Sequence, residues 1–320
     1  GGDSFDTYLD PTDSTLVYYE HQHGALRRMD ISQDSVLTGA AESLRPRLDP
    51  DEGEWRSGWY TPFIISHHDP RTLYIGGNRL LRSRDRGESW VPASPDLSDP
   101  AQGPRGVVPF GTITQIGESG LDVDLLYVGT EGGSVWRTVD GGESWERAGE
   151  GIPAKWVTRV VASMHAIGRV YLSLTGFRED DTRSYLFRSE DFGDHWVSIS
   201  GDLPAESVNV VAEDPAFPDL LYVGMDLGVY VSGDRGVSWH SLSANLPTTP
   251  VHDLDVHPRD AELVIGTHGR SAFVLDFQAV RAELGARDDG GEGSAGTGGN
   301  AGIGGNAGIG GRGGIGGEYP

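Results

Sequence analysis

Two acidic residues occupy matching positions in short loops: Glu131 in T-E-G-G (130–133) and Asp226 in M-D-L-G (225–228). A pair of carboxyls can divide acid and base work. Cleaving a glycosidic bond needs one protonated carboxyl to donate to the leaving oxygen and one ionised partner across the bond. Around the equivalent loops the sequence adds two stacking rings, Trp59 and Trp156, and three cations, Arg56, Arg79 and Arg270. Asn78, His252 and His268 complete the polar set. Rings beside carboxylates with a cationic edge suit a polar, partly planar ligand such as a glycan or an acidic peptide. The same residues without turnover make a binding surface, and polar loop tips are also what ordinary solvated surface carries.

Other chemistries find less support. His21 and His23 flank one glutamine, so a strand would point both to one face, and His67 and His68 are adjacent. Neither pair has a third ligand at metal-binding spacing, so no metal site is expected. There is no G-x-S-x-G elbow, phosphate loop or H-E-x-x-H motif, and no cofactor is expected.

The elements that must position these loops are written in a repeat. Thr138 to Trp145 reads T-V-D-G-G-E-S-W, and S-R-D-R-G-E-S-W (83–90), S-E-D-F-G-D-H-W (189–196) and S-G-D-R-G-V-S-W (232–239) obey the same rule. An Asp opening a turn accepts backbone N–H groups two or three residues on, and the Gly supplies a positive φ. The Trp is a large apolar plug for the unit's own small core. Asp85, Asp140, Asp191 and Asp234, with Trp90, Trp145, Trp196 and Trp239, are therefore structural, and their spacing lacks the oxygen count of a calcium loop. Around each phrase runs a first apolar strand, a turn often carrying Asp-Pro, a second strand such as L-L-Y-V-G (125–129 and 220–224), and a third strand leading into the phrase. Six units start near Phe5, Phe63, Ile113, Val157, Val208 and Val251, and the first and last are incomplete. A four-stranded antiparallel unit at this period predicts an all-β propeller over 1–277.

The phrase resembles the Asp-box, or bacterial neuraminidase repeat, found in sialidases, two-propeller xyloglucanases, the sortilin ectodomain and a photosystem assembly factor. The resemblance covers roughly residues 1–277. Segments 61–90 and 256–271 are similar to large bacterial sortilin-like or glycosyl-hydrolase-like repeat proteins, which are usually exported. The resemblance implies an extracellular or periplasmic β-propeller whose Asp-boxes share one face. Glu131, Asp226 and their neighbours would then gather on the other face, at the mouth of the central channel. The function it implies is a binding or interaction module recognising a glycan or peptide there. The alternative is a sialidase- or xyloglucanase-like glycoside hydrolase. The sialidase set of arginines and Tyr–Glu pair is not carried over, because no sequence order identifies it.

Composition narrows the partners. The formal net charge is −23 and Lys155 is the only lysine, so the acidic surface repels phosphate backbones and nucleic acid is not an expected partner. There is no cysteine, and no run approaches the length of a membrane span. The chain reads as a piece of a longer protein, with further domains as neighbours. Residues 278–284 suit a short helix or linker. From Gly290 to Pro320, 16 of 31 residues are glycine, so that stretch reads as a disordered tail rather than as part of a packed core.

Overall fold

The computed structural model describes residues 4–32, 41–49, 51, 53–98, 111–242, 246–278 and 280–281. The glycine-rich tail lies outside the described residues. The fold is an all-β propeller, and the described residues contain six antiparallel sheets, its blades, each with its strands in chain order. Blade 1 holds β1 (Ser4–Asp10), β2 (Asp13–His21), β3 (Ala25–Asp30) and β4 (Ala41–Ser43); blade 2 holds β5 (Phe63–Ile65), β6 (Leu73–Gly76), β7 (Leu80–Ser83) and β8 (Val91–Pro92). Blade 3 comprises β9 (Ile113–Glu118), β10 (Leu126–Thr130), β11 (Val135–Thr138) and β12 (Glu146–Arg147). Blade 4 comprises β13 (Trp156–Ala162), β14 (Val170–Gly176), β15 (Asp181–Ser189) and β16 (Val197–Ser198). These four blades form one compact unit, Gly1–Ser198. The second unit, from Ile199 on, carries blades 5 and 6. Blade 5 has β17 (Val208–Glu213), β18 (Leu221–Met225), β19 (Val229–Ser232) and β20 (His240–Ser241), and blade 6 has only β21 (Val251–His257), β22 (Glu262–Thr267) and β23 (Ala272–Asp276).

In blades 2, 3 and 5 the second strand is the core of the blade. β6, β10 and β18 are buried at every position, because both of their faces are covered. This is why L-Y-V-G reads as a continuous apolar run rather than an alternating one. The run ends in Gly for a packing reason. A Cβ on Gly129 would lie 2.2 Å from Val157, and one on Gly224 would lie 2.6 Å from Val251. Val157 and Val251 each belong to the first strand of the following blade. The end of a second strand is thereby pressed against the next blade, and the loop that follows it sits beside that blade's first residues.

The Asp-box works over a longer reach than the sequence suggests. Asp140 Oδ1 accepts the Ser144 N–H at 2.9 Å, four residues on, and the Thr138 hydroxyl at 2.7 Å, while Oδ2 accepts the Ser144 hydroxyl. Thr138 Oγ1 in turn accepts the Gly142 N–H at 2.9 Å. The residue before the Gly also has positive φ, even where it is Arg86, Phe192 or Arg235. Nor does the Trp plug only its own core. Its Nε1–H donates to a backbone carbonyl just past the fourth strand of the preceding blade: Trp90 to Leu44, Trp145 to Ala93 and Trp196 to Ala148. Trp239 makes the same bond to Ile199 O at 2.9 Å. Trp90 and Trp239 are buried, whereas Trp145 and Trp196 are half-buried, so the tie does not depend on full burial.

One expectation changes. The first unit is complete, because β4 pairs with β3 although residues 26–34 lack the Gly and Trp of the phrase. In blade 4 a single 3-10 turn at Phe177–Glu179 leads straight into β15 at Asp181. The last blade does lack a fourth strand among the described residues. After β23, Phe277 is buried against Tyr222, and Arg281 forms a bidentate pair with the buried Asp214, at 2.9 and 3.0 Å.

Candidate functional site

In the first unit, blade packing brings Glu131 and Trp156 together. Glu131 follows the buried end of β10, and its N–H donates to Thr112 O at 3.0 Å. The turn after it presses Gly133 onto the 154–155 backbone, where a Cβ would lie 2.4 Å from Lys155 N. Trp156 opens β13 immediately afterwards. The Glu131 side chain is almost fully covered: Oε2 accepts the Gly111 N–H at 3.1 Å, and Oε1 lies 3.6 Å from Arg178 Nη1. Burial raises the Glu131 pKa despite Arg178 and the Gly111 N–H, which both favour the ionised form.

Arg178 is the residue the sequence reading passed over. It sits on the 3-10 turn, and its guanidinium lies 3.9 Å over the Trp156 ring while facing Glu131. The hairpin is braced from below. Lys155 pairs with Glu179 and Asp181, and Asp181 also accepts the Tyr185 hydroxyl at 2.7 Å. Arg183 first, then Tyr185, holds the Asp181 carboxyl well below the usual range. Phe177, beside Arg178, is 75% exposed. The available signal was the length of the 176–184 insertion, which carries an arginine where the equivalent loops are short.

Trp59 lies in the stretch before β5, next to the His21–Gly24 turn. It is half exposed, edge-on to His23 at 5.2 Å, and its carbonyl accepts the His23 N–H at 3.1 Å. The adjoining Gly58 leans on Thr112, where a Cβ would come within 2.7 Å of Oγ1, and Thr112 O holds the Glu131 N–H. Asn78 and Arg56 are engaged with each other. The buried Asn78 accepts the Arg56 N–H at 2.8 Å, and both side chains donate to Asp96. The Arg79 guanidinium packs near Gly53, where a Cβ would lie 3.4 Å from Nη2.

Below the His21–Gly24 turn lies a group the sequence did not flag. Glu20, on β2, has no exposed surface, and its Oε1 accepts the Gly24 N–H at 3.2 Å. Burial pushes its pKa up to about 9, so it carries a proton at neutral pH.

The second unit holds the other predicted residues. Asp226 follows β18, and its Oδ1 accepts a hydrogen bond from Asn209 Nδ2 at 3.0 Å. Next to it, Glu206 accepts the Leu227 N–H at 3.0 Å, and burial with the nearby Asp226 charge raises the Glu206 pKa. The His252 and His268 rings lie 5.4 Å apart. His252 keeps exposed surface, yet loss of hydration around its ring lowers its pKa, reinforced by His268 and opposed by Asp226 and Asp253. Arg270 is exposed on the turn that Gly269 and Ser271 make with positive φ. Glu131 thus belongs to the first unit and Asp226 to the second. Among the described residues, no three His, Cys, Asp or Glu lie close enough to hold a metal ion, and no helix is long and apolar enough to cross a membrane.

The family model of the BNR-Asp box repeat matches residues 186–199. No curated protein matches the sequence. Among solved structures, the GH74 xyloglucanase from Xanthomonas campestris is similar at 19% identity and a TM-score of 0.57, over 85% of this chain and 44% of that one. An ancestral GH74 enzyme is similar at 15% identity and a TM-score of 0.61, over 87% and 37%. The extracellular domain of a putative one component system from B. thetaiotaomicron is similar at 16% identity and a TM-score of 0.57, over 85% and 32%. The chain therefore spans less than half the length of these proteins, and at such identities the likeness concerns the fold. This chain is a β-propeller that carries the BNR-Asp box repeat.

Proposed function

We propose that the chain is a propeller-type binding module acting outside the cytoplasm, and that it recognises a glycan or peptide on the loop surface holding Glu131, Trp156 and Trp59. The observation that carries this reading is the stack in which Arg178 lies over Trp156 and against the covered Glu131 carboxyl. An aromatic ring, a cation and a carboxyl held on braced hairpins form a pre-organised polar ledge, and pre-organisation lowers the ordering cost of binding. Trp59 offers a further ring for the ligand, and in the second unit His252, His268 and Arg270 are candidate ligand contacts, with Asp226 the candidate catalytic carboxyl. An extracellular domain and glycoside hydrolases share the fold, which agrees with a glycan ligand met outside the cell.

The test is a glycan and peptide array on the purified chain, followed by titration of any hit. Trp156→Ala is expected to weaken binding about tenfold or more, the usual scale for losing an aromatic anchor. Binding unchanged by Trp156→Ala and by Trp59→Ala would reject this surface. A second reading, glycoside hydrolysis, draws on the raised pKa of Glu131, which suits a general acid. It requires sugar products from a bound glycan, with turnover lost in Glu131→Gln while binding persists.

A further inference from the structure

The partnership of Arg178 is loosely made on one side and firmly supported on the other. Its side chain is 57% exposed, whereas that of Glu131 is 6% exposed. The 3.6 Å separation is long beside the ~2.7–2.9 Å of a tight charge-assisted contact. The aromatic side is close, at 3.9 Å over Trp156, and the hairpin is anchored through Lys155 to Glu179 and Asp181. Arg178 is therefore held in place by ring and backbone while its planar fork remains open to solvent and only weakly claimed by Glu131.

We infer that Arg178 reads the charge of the ligand: a carboxylate on a bound glycan takes the Arg178 guanidinium from Glu131, and Glu131 then takes up one proton from solvent. The inference rests on the binding reading above and names the ligand class of that site, an acidic glycan bearing an isolated uronate. A planar guanidinium matches a carboxylate bidentately, and Trp156 supplies the stacking face a sugar ring uses. A single carboxylate fits better than a polyanion, because the cation stacked on Trp156 is Arg178 alone and the chain carries a net charge of −23. The proton balance follows from the surroundings of Glu131. Its carboxyl is buried, and Arg178 first and then the Gly111 N–H favour its ionised form against that burial. Withdrawing the cation leaves burial as the dominant influence, so the carboxyl gains a proton as the ligand's carboxylate gains the arginine.

The experiment is isothermal titration calorimetry of the full chain with cellobiouronic acid and with its neutral counterpart cellobiose, each in phosphate and in Tris. Tighter binding of the acid is expected, with a heat that differs between buffers by the ionisation of at most one proton. Arg178→Gln should weaken the acid ten- to a hundredfold, the range for one charge-assisted contact, and leave cellobiose within about threefold. Arg178→Lys should fall between, because it keeps the charge and loses the fork. Glu131→Gln should abolish the buffer dependence. Equal affinities for acid and neutral sugar, both lost in Trp156→Ala and untouched by Arg178→Gln, would overturn the charge reading and leave the glycan-binding site standing. Binding of neither sugar overturns both. An acidic peptide bound more tightly than the acidic sugar overturns the assignment to glycans.

Discussion

The Glu20 carboxyl has no exposed surface; the backbone N–H groups of Gly24, on Oε1 at 3.2 Å, and of Thr61 favour its charged form, and the nearby Asp6 charge opposes it. An ionised carboxylate there would be poorly compensated, so the folded state favours the proton, with a pKa of about 9 against an ordinary 4.5. The sign follows from linkage. The group's contribution is fully present below pH 4.5 and is lost progressively as pH rises to about 9, because the unfolded chain releases the proton first. The melting temperature of the parent chain should fall from pH 5 to pH 9, and Glu20→Gln should flatten that fall and raise stability at pH 8. A Glu20→Gln variant that melts lower than its parent at pH 8 would show that the carboxylate is tolerated. Asp140 titrates with the opposite sign: its Ser144 and Thr138 contacts hold it at about 2, so its contribution disappears only in strong acid. Sequence reading singled out Glu131 because its loop is equivalent to that of Asp226, and Trp156 because it stands between one repeat and the next. It missed Glu20, Glu206 and Arg178 because burial within a blade and the reach of one longer hairpin leave no periodic trace.

At the scale of elements, the repeat made most strands legible: first, second and third strands lie on the apolar runs, and the Asp-box spacing places the turn. The fourth strands were harder, since β8, β12, β16 and β20 are two residues each. What the repeat could not convey is how a blade is tied to a partner forty or more residues away. The Trp90, Trp145, Trp196 and Trp239 indole bonds are one such tie, and the residues after β23 are another. In blade 1, Asp10 receives Arg86, the residue next to Asp85 of the Asp-box, and the Tyr18 hydroxyl. In blade 5 the corresponding Asp214 receives the Tyr222 hydroxyl, but the cation is Arg281 from the helical turn after β23. Blade 6 has no Asp-box, and Arg281 supplies the charge an Asp-box arginine supplies elsewhere. Removing it strands a carboxylate with no exposed surface. Arg281→Met should therefore destabilise the chain by about 3–5 kcal/mol, the scale for breaking a buried pair. Asp214→Asn in the same chain should restore part of that loss. Urea titrations of the three variants measure both terms, and a loss below about 1 kcal/mol for Arg281→Met would reduce the contact to an ordinary surface pair.

At the scale of the molecule, the Arg178 guanidinium works within a chain of net charge −23. Such a field repels an approaching anion over tens of ångströms, whereas the Arg178 contact acts over a few. Salt separates the two ranges, because the screening length is about 10 Å at 0.1 M and about 30 Å at 0.01 M. Raising the salt from 10 to 150 mM should remove most of the long-range repulsion and leave most of the contact at the Trp156 ledge. Association of cellobiouronic acid should then become faster with salt, and its affinity should hold or rise by about two- to threefold, while cellobiose stays unchanged. Arg178→Gln should keep the salt-dependent approach and lose the bound-state preference, since only the short-range part has been deleted. The opposite sign is equally informative. An affinity that falls tenfold over the same range would mean that several cations cooperate around the ligand, as at a polyanion site. In that outcome the arginines around Trp59, Arg56 and Arg79 among them, would act as a field rather than as bracing for their own loops, and the ligand would carry many charges instead of one.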